Sequence, residues 1–414
     1  MQETDKQKQG PLSGVRVLDL SRVFSGPWAG QMLADFGADV IKVERPGRGD
    51  DVRQQGLPVK DQDGRPSGET SSFIAMNRGK RSITVDLAQA EGQALVRELA
   101  AGCDILIENF KAGDLARHGL DYAAMKTACP RLVYCSISGF GQSGPYSHLP
   151  GYDPIFQSMS GLMAITGAAD DMPGSGPMRV GFAVGDITAG FYAVSAILAA
   201  LRHRDMVSGE GQYIDLALFD AQVAAISHVA MLYLVSGAQP PRLGTASPIT
   251  CPWQAFDCAD GQIVIAVGND SQFAAFCNVL GVPELARDAR FATNPLRARH
   301  RQELVPLLAD ILRQRPVKDW HAAFDAANVP SGPINGFAEV FADPQIVHRQ
   351  MRFDMPHPSA GQVPQVANPV RFSASPVQYR RAPPRLGEHT AEVLREVLQL
   401  DEARIAELQR HKVI

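Results

Sequence analysis

The feature that most constrains this chain is an alternation of short apolar runs with amphipathic helical runs over its first 140 residues. Val15 to Leu20 predicts a strand. Trp28, Ala29, Met32, Leu33 and Phe36 mark one face of a short helix that Gly37 ends, and Val40 to Val43 predicts the next strand. The pattern returns with a strand at Ile83 to Val85, a helix over Glu91 to Leu99, and strands over Ile105 to Ile107 and Leu132 to Ile137. Strand, helix, strand repetition of this kind predicts an α/β fold with a mostly parallel sheet and helices on both faces. Ligands of such sheets bind at the carboxyl ends of the strands. The segments falling there are Ser21 to Gly26, Arg45, Glu108 to Phe110 and Ser138 to Gln142.

The remainder suggests more than one compact body. With 414 residues, 45% hydrophobic and 20% charged, the chain can bury the core of one large or two ordinary domains. After a turn-like segment at Asp205 to Gln212 and a helix near Ala221 to Leu234, Gly237 and the pair Pro240-Pro241 mark a boundary. A smaller α/β unit follows, with a strand at Ile263 to Val267, a helix at Ser271 to Leu280, and helices near Arg299 to Leu312 and Val317 to Ala327. Pro356 to Pro384 reads as extended chain crossing a surface, and helices at Ala391 to Leu398 and Glu402 to Gln409 close the sequence.

Composition excludes several classes. Forty basic and 44 acidic residues give a net charge of -4, with no global pull toward nucleic acid or anionic lipid. Trp28, Trp253 and Trp320 are too scattered for a base-stacking platform, and Lys80-Arg81 reads as a solvated turn. The six cysteines include no Cys-x-x-Cys pair, which argues against disulfides or zinc and fits a reducing compartment. The ten histidines show no ligand spacing, so no metal is expected. Residues 1–11 form a polar tail without the apolar core of a signal peptide, and no run of about 18 apolar residues stands out. A cytoplasmic protein that does not cross a membrane is the expectation.

The chemistry concentrates in Gly151-Tyr152-Asp153-Pro154 through Arg179 to Gly190. Asp186 stands between a Gly-punctuated approach and a helix whose Ile187, Phe191, Val194, Leu198 and Leu201 recur at helical spacing. Local pattern allows two readings: a helix N-cap and nothing more, or an ionised carboxylate at the positive end of a helix dipole, poised as a nucleophile. Gly139-Phe140-Gly141-Gln142-Ser143-Gly144 matches a dinucleotide fingerprint after a strand, which raises a dehydrogenase. That fingerprint must open a helix, and Pro145, Pro150 and Gly151 break any helix here.

These motifs together resemble the family III CoA-transferases (CaiB/BaiF type). The likeness runs through Gly14 to Ser21, Ser25-Gly26-Pro27, Gly37 to Arg45, Asn77 to Ser82, Glu108-Asn109-Phe110, Gly139-Phe140-Gly141, Gly151 to Pro154, Ser160 to Met163, Thr166-Gly167, Val184-Gly185-Asp186 and Leu386 to Thr390. It implies a large Rossmann-like domain with a smaller α/β domain, here residues 12–220, 221–335 and a return at 336–414, in an interlocked homodimer. It also implies transfer of CoA from an acyl-CoA to a carboxylic acid through an aspartyl-CoA thioester. Coenzyme A is then a substrate, and no metal or redox cofactor is called for. Asp186 would be the nucleophile, and Gln142 would offer an amide to the reacting carboxylates. Phe24, Ser25, Arg45, Val85, Asn109, Phe110 and Arg117 would bind CoA, although Arg45 and Arg117 judged alone are as readily surface charges. Ser138 replaces a lysine of formyl-CoA transferase. Gly244 to Pro248 and Pro252 to Phe256 resemble the succinate-hydroxymethylglutarate branch, which favours succinyl-CoA and a dicarboxylic acceptor, with Arg179 or Arg242 as partner for its unreacted carboxylate. Related activities are α-methylacyl-CoA epimerisation, whose histidine falls at Tyr152, and acyl-CoA binding without catalysis.

Overall fold

The computed structural model describes residues 9–414; residues 1–8 of the polar tail lie outside the described residues. β1 (Arg16–Asp19) and β2 (Asp39–Glu44) precede a small antiparallel hairpin, β3 (Pro58–Lys60) and β4 (Pro66–Thr70), and then come β5 (Lys80–Thr84), β6 (Ile105–Glu108), β7 (Val133–Ser138) and β8 (Tyr213–Ala217). Six of these make one all-parallel sheet in the order β5-β2-β1-β6-β7-β8. The chain winds outward from β1 on one side and restarts at β6 on the other. That reversal leaves a crevice beyond the carboxyl ends of β1 and β6.

Successive strand residues serve opposite faces, as the period of a strand requires. Val17, Ile105, Ile107, Cys135 and Ile137 pack with Ala29 and Leu33 of the helix Ser25–Asp35 and with Ala189, Ala193 and Ile197 of the helix Val184–His203. Leu18, Ile41, Val43, Ile83 and Leu106 pack on the opposite face with Val96, Leu99 and Val393. By length and mean hydropathy, Val184–Ser208 is apolar enough to cross a membrane, which corrects the expectation that no segment is. Here Ala189, Ala193 and Ile197 are fully buried against the sheet.

Lys80 and Arg81 are not a solvated turn. Both are buried in β5: the Lys80 ammonium contacts Asp19 at 2.9 Å, and Arg81 pairs with Asp39 and Glu396. Burying such charges is tolerable only because each meets a carboxylate. β8 is a second departure, since its Tyr-Ile-Asp-Leu-Ala is a short edge strand carrying an exposed Asp215, and short, charged edge strands look like loop in a sequence.

Contacts divide the chain into two compact units. One holds residues up to Ser160, Gly181–Ile226 and Pro344–Ile414; the other holds Gly161–Val180 and Ser227–Asp343. The sequence reading kept 161–180 in the large domain, whereas Arg242 binds Asp170 and the Ala164 carbonyl within the second unit, and the Gly244 amide donates to Gly167 there. That unit contains an antiparallel sheet of β9 (Trp253–Asp257), β10 (Gln262–Ala266) and β11 (Ser331–Pro333). Phe273, Phe276, Trp320 and Phe324 dominate its core.

The returning chain is not merely extended. β12 (Arg352–His357) and β13 (Gly361–Val366) form a hairpin in which Pro356 faces Gln362 and Pro364 faces Asp354. A two-stranded ribbon leaves a free edge on each strand, where a proline removes no ladder bond. The helices Thr390–Leu398 and Glu402–Arg410 then complete the first unit.

Candidate active site

The crevice is built by the loop that follows β1. Lys42 Nζ holds the Asp50 carboxylate at 2.8 Å and donates to the Ser21 carbonyl at 2.9 Å, all buried. Asp50 Oδ1 in turn accepts the Val23 N–H at 3.0 Å. These bonds hold Val23 at φ 68°, a left-handed conformation that costs a β-branched residue on the order of 1–3 kcal/mol. The consequence is an abrupt turn into the helix Ser25–Asp35.

Asp186 lies in the first turn of the helix Val184–His203, as its third residue. It is not the cap. Asp153, from a segment 33 residues earlier and itself buried, accepts the Gly185 N–H with Oδ1 at 2.8 Å. Relieved of that task, the Asp186 carboxylate accepts hydrogen bonds from both the hydroxyl and the backbone N–H of Ser25. It therefore stands at two helix N-termini, its own and that of the Ser25 helix, where dipoles favour negative charge. Burial and the neighbouring Asp153 carboxylate oppose them and push the Asp186 carboxyl up to about 7. The expectation of a fully ionised cap is corrected: desolvation and like charge outweigh the helix ends.

Asp186 opens onto a cavity of about 460 Å³ whose wall includes Arg22, Ser25, Asn109, Phe110, Arg117 and Ser138. A neighbouring cavity of about 240 Å³ is lined by Arg45, Val85, Asp86, His118 and again Arg22 and Phe110. Six of the seven candidate CoA residues, all but Phe24, thus fall into two adjoining spaces with Phe110 common to both. Arg22, which sequence reading passed over, lies 4.8 Å from the Phe110 ring and lines both cavities. The Asn109 side chain is occupied, exchanging hydrogen bonds of 2.8 and 2.7 Å with the Arg22 backbone and so tying β6 to the β1 loop. Arg117 is paired with Asp114 at the cavity wall. Phe24 is the half-buried cap residue of the Ser25 helix and lines neither cavity.

Gln142 is not brought to Asp186. Its Nε2 donates to Ser136 Oγ at 2.9 Å and its backbone N–H donates to Asp215, and it lines a separate cavity with Glu108 and Tyr213. Gly141 adopts φ 87° with its N–H held by Ser138 Oγ, making a turn rather than a helix start, so the dinucleotide fingerprint lacks its helix. Tyr152, where a racemase histidine would fall, lines the Asp186 cavity but is 72% exposed. Arg179 is exposed, and Arg242 is engaged by Asp170. Among the described residues no group of three His, Cys, Asp or Glu side chains could hold a metal.

Fold and site define an α/β protein in which Asp186, seated at two helix N-termini, faces a cavity at the β1–β6 crevice. The family model for CoA-transferase family III matches residues 12–390, and the chain belongs to that family. It is a CoA-transferase. It is 48% identical to a succinate–glutarate CoA-transferase of Agrobacterium fabrum, over 94% of this chain and 96% of that one. It is 41% identical to human succinyl-CoA:glutarate CoA-transferase, over 98% of this chain and 90% of the relative. The crystal structure of a CaiB/BaiF family protein from Brucella suis superposes with a TM-score of 0.83 at 45% identity, covering 94% of this chain and all of that one.

Proposed function

We propose that the enzyme takes CoA from succinyl-CoA and passes it to a dicarboxylic acid of the glutarate type, through a thioester on Asp186. The observation that carries the reading is the Asp186 carboxylate, hydrogen-bonded by Ser25 and facing the 460 Å³ cavity. Names of relatives at 41–48% identity over nearly the whole chain support the substrate pair.

Carboxylate attack on a thioester needs proximity and fixed donors, because the nucleophile is weak and an oxyanion develops. Asp186 attacks the succinyl carbonyl carbon; the new C–O bond forms, the C–S bond breaks, and CoA leaves as thiolate. The thiolate attacks the aspartyl carbonyl, releasing succinate and leaving aspartyl-CoA. The acceptor carboxylate then repeats the sequence in reverse order, and CoA departs on the acceptor. Ser25, whose hydroxyl and N–H meet the Asp186 carboxylate, supplies the fixed donors beside the reacting group. Arg45, Val85 and Phe110 receive the CoA moiety, where guanidinium matches phosphate. For Gln142 to take part, its amide must leave Ser136. The working molecule is a homodimer, supported by the apolar Phe191, Tyr192 and Leu198 that the Asp186 helix leaves exposed.

The test is a screen of acceptor acids against succinyl-CoA. Glutarate or a close dicarboxylate is expected to give the highest kcat/KM, with monocarboxylates of similar length at least about tenfold lower, since a distal charge met by the protein is worth that much. Preference for formate or oxalate would overturn the substrate assignment and leave the role of Asp186 standing.

A further inference from the structure

Asp153 is bound on both carboxylate oxygens by neutral donors. Oδ1 accepts the Gly185 N–H at 2.8 Å, Oδ2 accepts from Gln157 Nε2 at 2.6 Å, and the residue is 5% exposed. Gly185 makes the approach possible: a Cβ there would stand 3.0 Å from Asp153 Oδ1 and 3.2 Å from Gln222 Oε1. Gln222 is 1% exposed and neither of its amide atoms has a partner among the described residues, so a neutral group closes the other side. The residue immediately preceding Asp186 is thereby enclosed by one carboxylate and an amide.

The other groups facing Asp186 do not cancel that charge. The Ser25 helix brings only Ser25, and its one acidic residue, Asp35, is paired with Arg78. The helix Leu218–Ala225, packed against both segments, brings Gln222, with Asp220 exposed. Around the cavity Arg22 pairs with Asp51 and Arg117 with Asp114, leaving Lys111 and Tyr152 on the rim. The groups that act on the Asp186 carboxyl are burial, Asp153 and Ser25, and none is a cation.

We propose that Asp153 is a positioning residue that drives acylation of Asp186: it fixes the start of the nucleophile's helix, and its negative charge disfavours the free Asp186 carboxylate relative to the neutral acyl-aspartate that replaces it. The inference rests on Asp186 being the nucleophile. When Asp186 Oδ bonds the acyl carbon and the C–S electron pair departs with CoA, the negative charge moves from the aspartate to the sulfur. When the thiolate then takes the aspartyl carbon, the charge leaves with the released acid. Both covalent states are uncharged at Asp186, so a fixed anion beside it raises the free carboxylate and leaves them nearly untouched. Burial does most to raise the proton affinity of Asp186, and the Asp153 charge adds to it by the same repulsion that favours an acyl group over the free carboxylate.

The test compares wild type with Asp153→Asn, which keeps an oxygen for the Gly185 N–H but loses the charge, and with Asp153→Glu, which keeps the charge. Two quantities are read: the acidic limb of kcat/KM for succinyl-CoA, and the fraction of chains carrying a covalent adduct after mixing with succinyl-CoA alone, by intact mass. Asp153→Asn is expected to lower the acidic limb by about one pH unit and the adduct-to-free ratio by about tenfold, with Asp153→Glu near wild type on both, as removal of a close like charge requires. If Asp153→Asn does not fold, Asp153→Ser, which also retains an oxygen acceptor, is expected to show the same two shifts. An unchanged limb and adduct ratio in the folded neutral variant would overturn the proposal while wild type still forms the adduct. Wild type that never forms one would overturn both this proposal and the role of Asp186.

Discussion

Glu108 ends β6 with its carboxyl buried, accepting the Phe110 N–H at 2.8 Å, and burial pushes it up to about 7. The sign follows from linkage. Below about pH 4.5 folded and unfolded chains both hold the proton; between there and pH 7 only the folded chain does; above that the folded chain carries a buried charge. Stability from this group therefore falls as pH rises through that window. Glu108→Gln, which keeps an acceptor for Phe110, is expected to stabilise the protein at pH 8 by on the order of 2–3 kcal/mol and to match wild type near pH 4.5, read by denaturant unfolding. An equal difference at both pH values would mean the carboxyl is not neutral in the fold. Single residues were partly legible beforehand. Local pattern left Asp186 open between a plain cap and a nucleophile, and its role, like those of Arg45, Val85 and Phe110, came from the family resemblance. The exchange of roles between Asp153 and Asp186 was not legible, because a cap supplied from 32 residues before Gly185 leaves no local periodicity. Asn109 and Gln142 were assigned to ligands, yet their side chains are spent on Arg22 and Ser136.

At the scale of elements, the nucleophile depends on how closely two helices meet. A Cβ on Gly190 would lie 3.0 Å from the Ser25 carbonyl and 2.9 Å from Trp28, and one on Gly26 would lie 2.2 Å from Ser21. Gly190 lets the Asp186 helix ride on the start of the Ser25 helix, which puts Ser25 in reach of the carboxylate, and Gly26 lets that start sit against Ser21 of the loop after β1. The sequence shows the glycines and both helices, but not which backbone each glycine admits. Five strands of the parallel sheet were legible from the apolar residues that they bury, Val17 and Leu18, Val40 and Ile41, Ile83, Ile105 and Ile107, and Val133 and Ile137 among them. β8 and the β12–β13 hairpin were not, the first for its exposed aspartate and the second for its prolines. Lys80 and Arg81 looked solvated because their partners Asp19 and Asp39 lie some 40 to 60 residues away in the chain and meet them only once β1, β2 and β5 align.

At the scale of the whole molecule, the exposed apolar residues of the Asp186 helix call for a cover, and a second copy of the chain is the occupant implied by the family resemblance. Static light scattering is expected to give about twice 44.7 kDa at all working concentrations, since an interlocked pair cannot separate without unfolding. A stable, active species of 44.7 kDa would rule the dimer out. The central claim is that one carboxylate carries CoA between two acids. The most direct measurement is to mix the enzyme with succinyl-CoA, add hydroxylamine, and map the modified peptide, because only an anhydride or thioester converts an aspartate to a hydroxamate. Transfer through Asp186 predicts modification of that residue in wild type, and an Asp186→Ala variant that folds but transfers no CoA. Continued turnover by Asp186→Ala, with Asp186 of the wild type left unmodified, would contradict it.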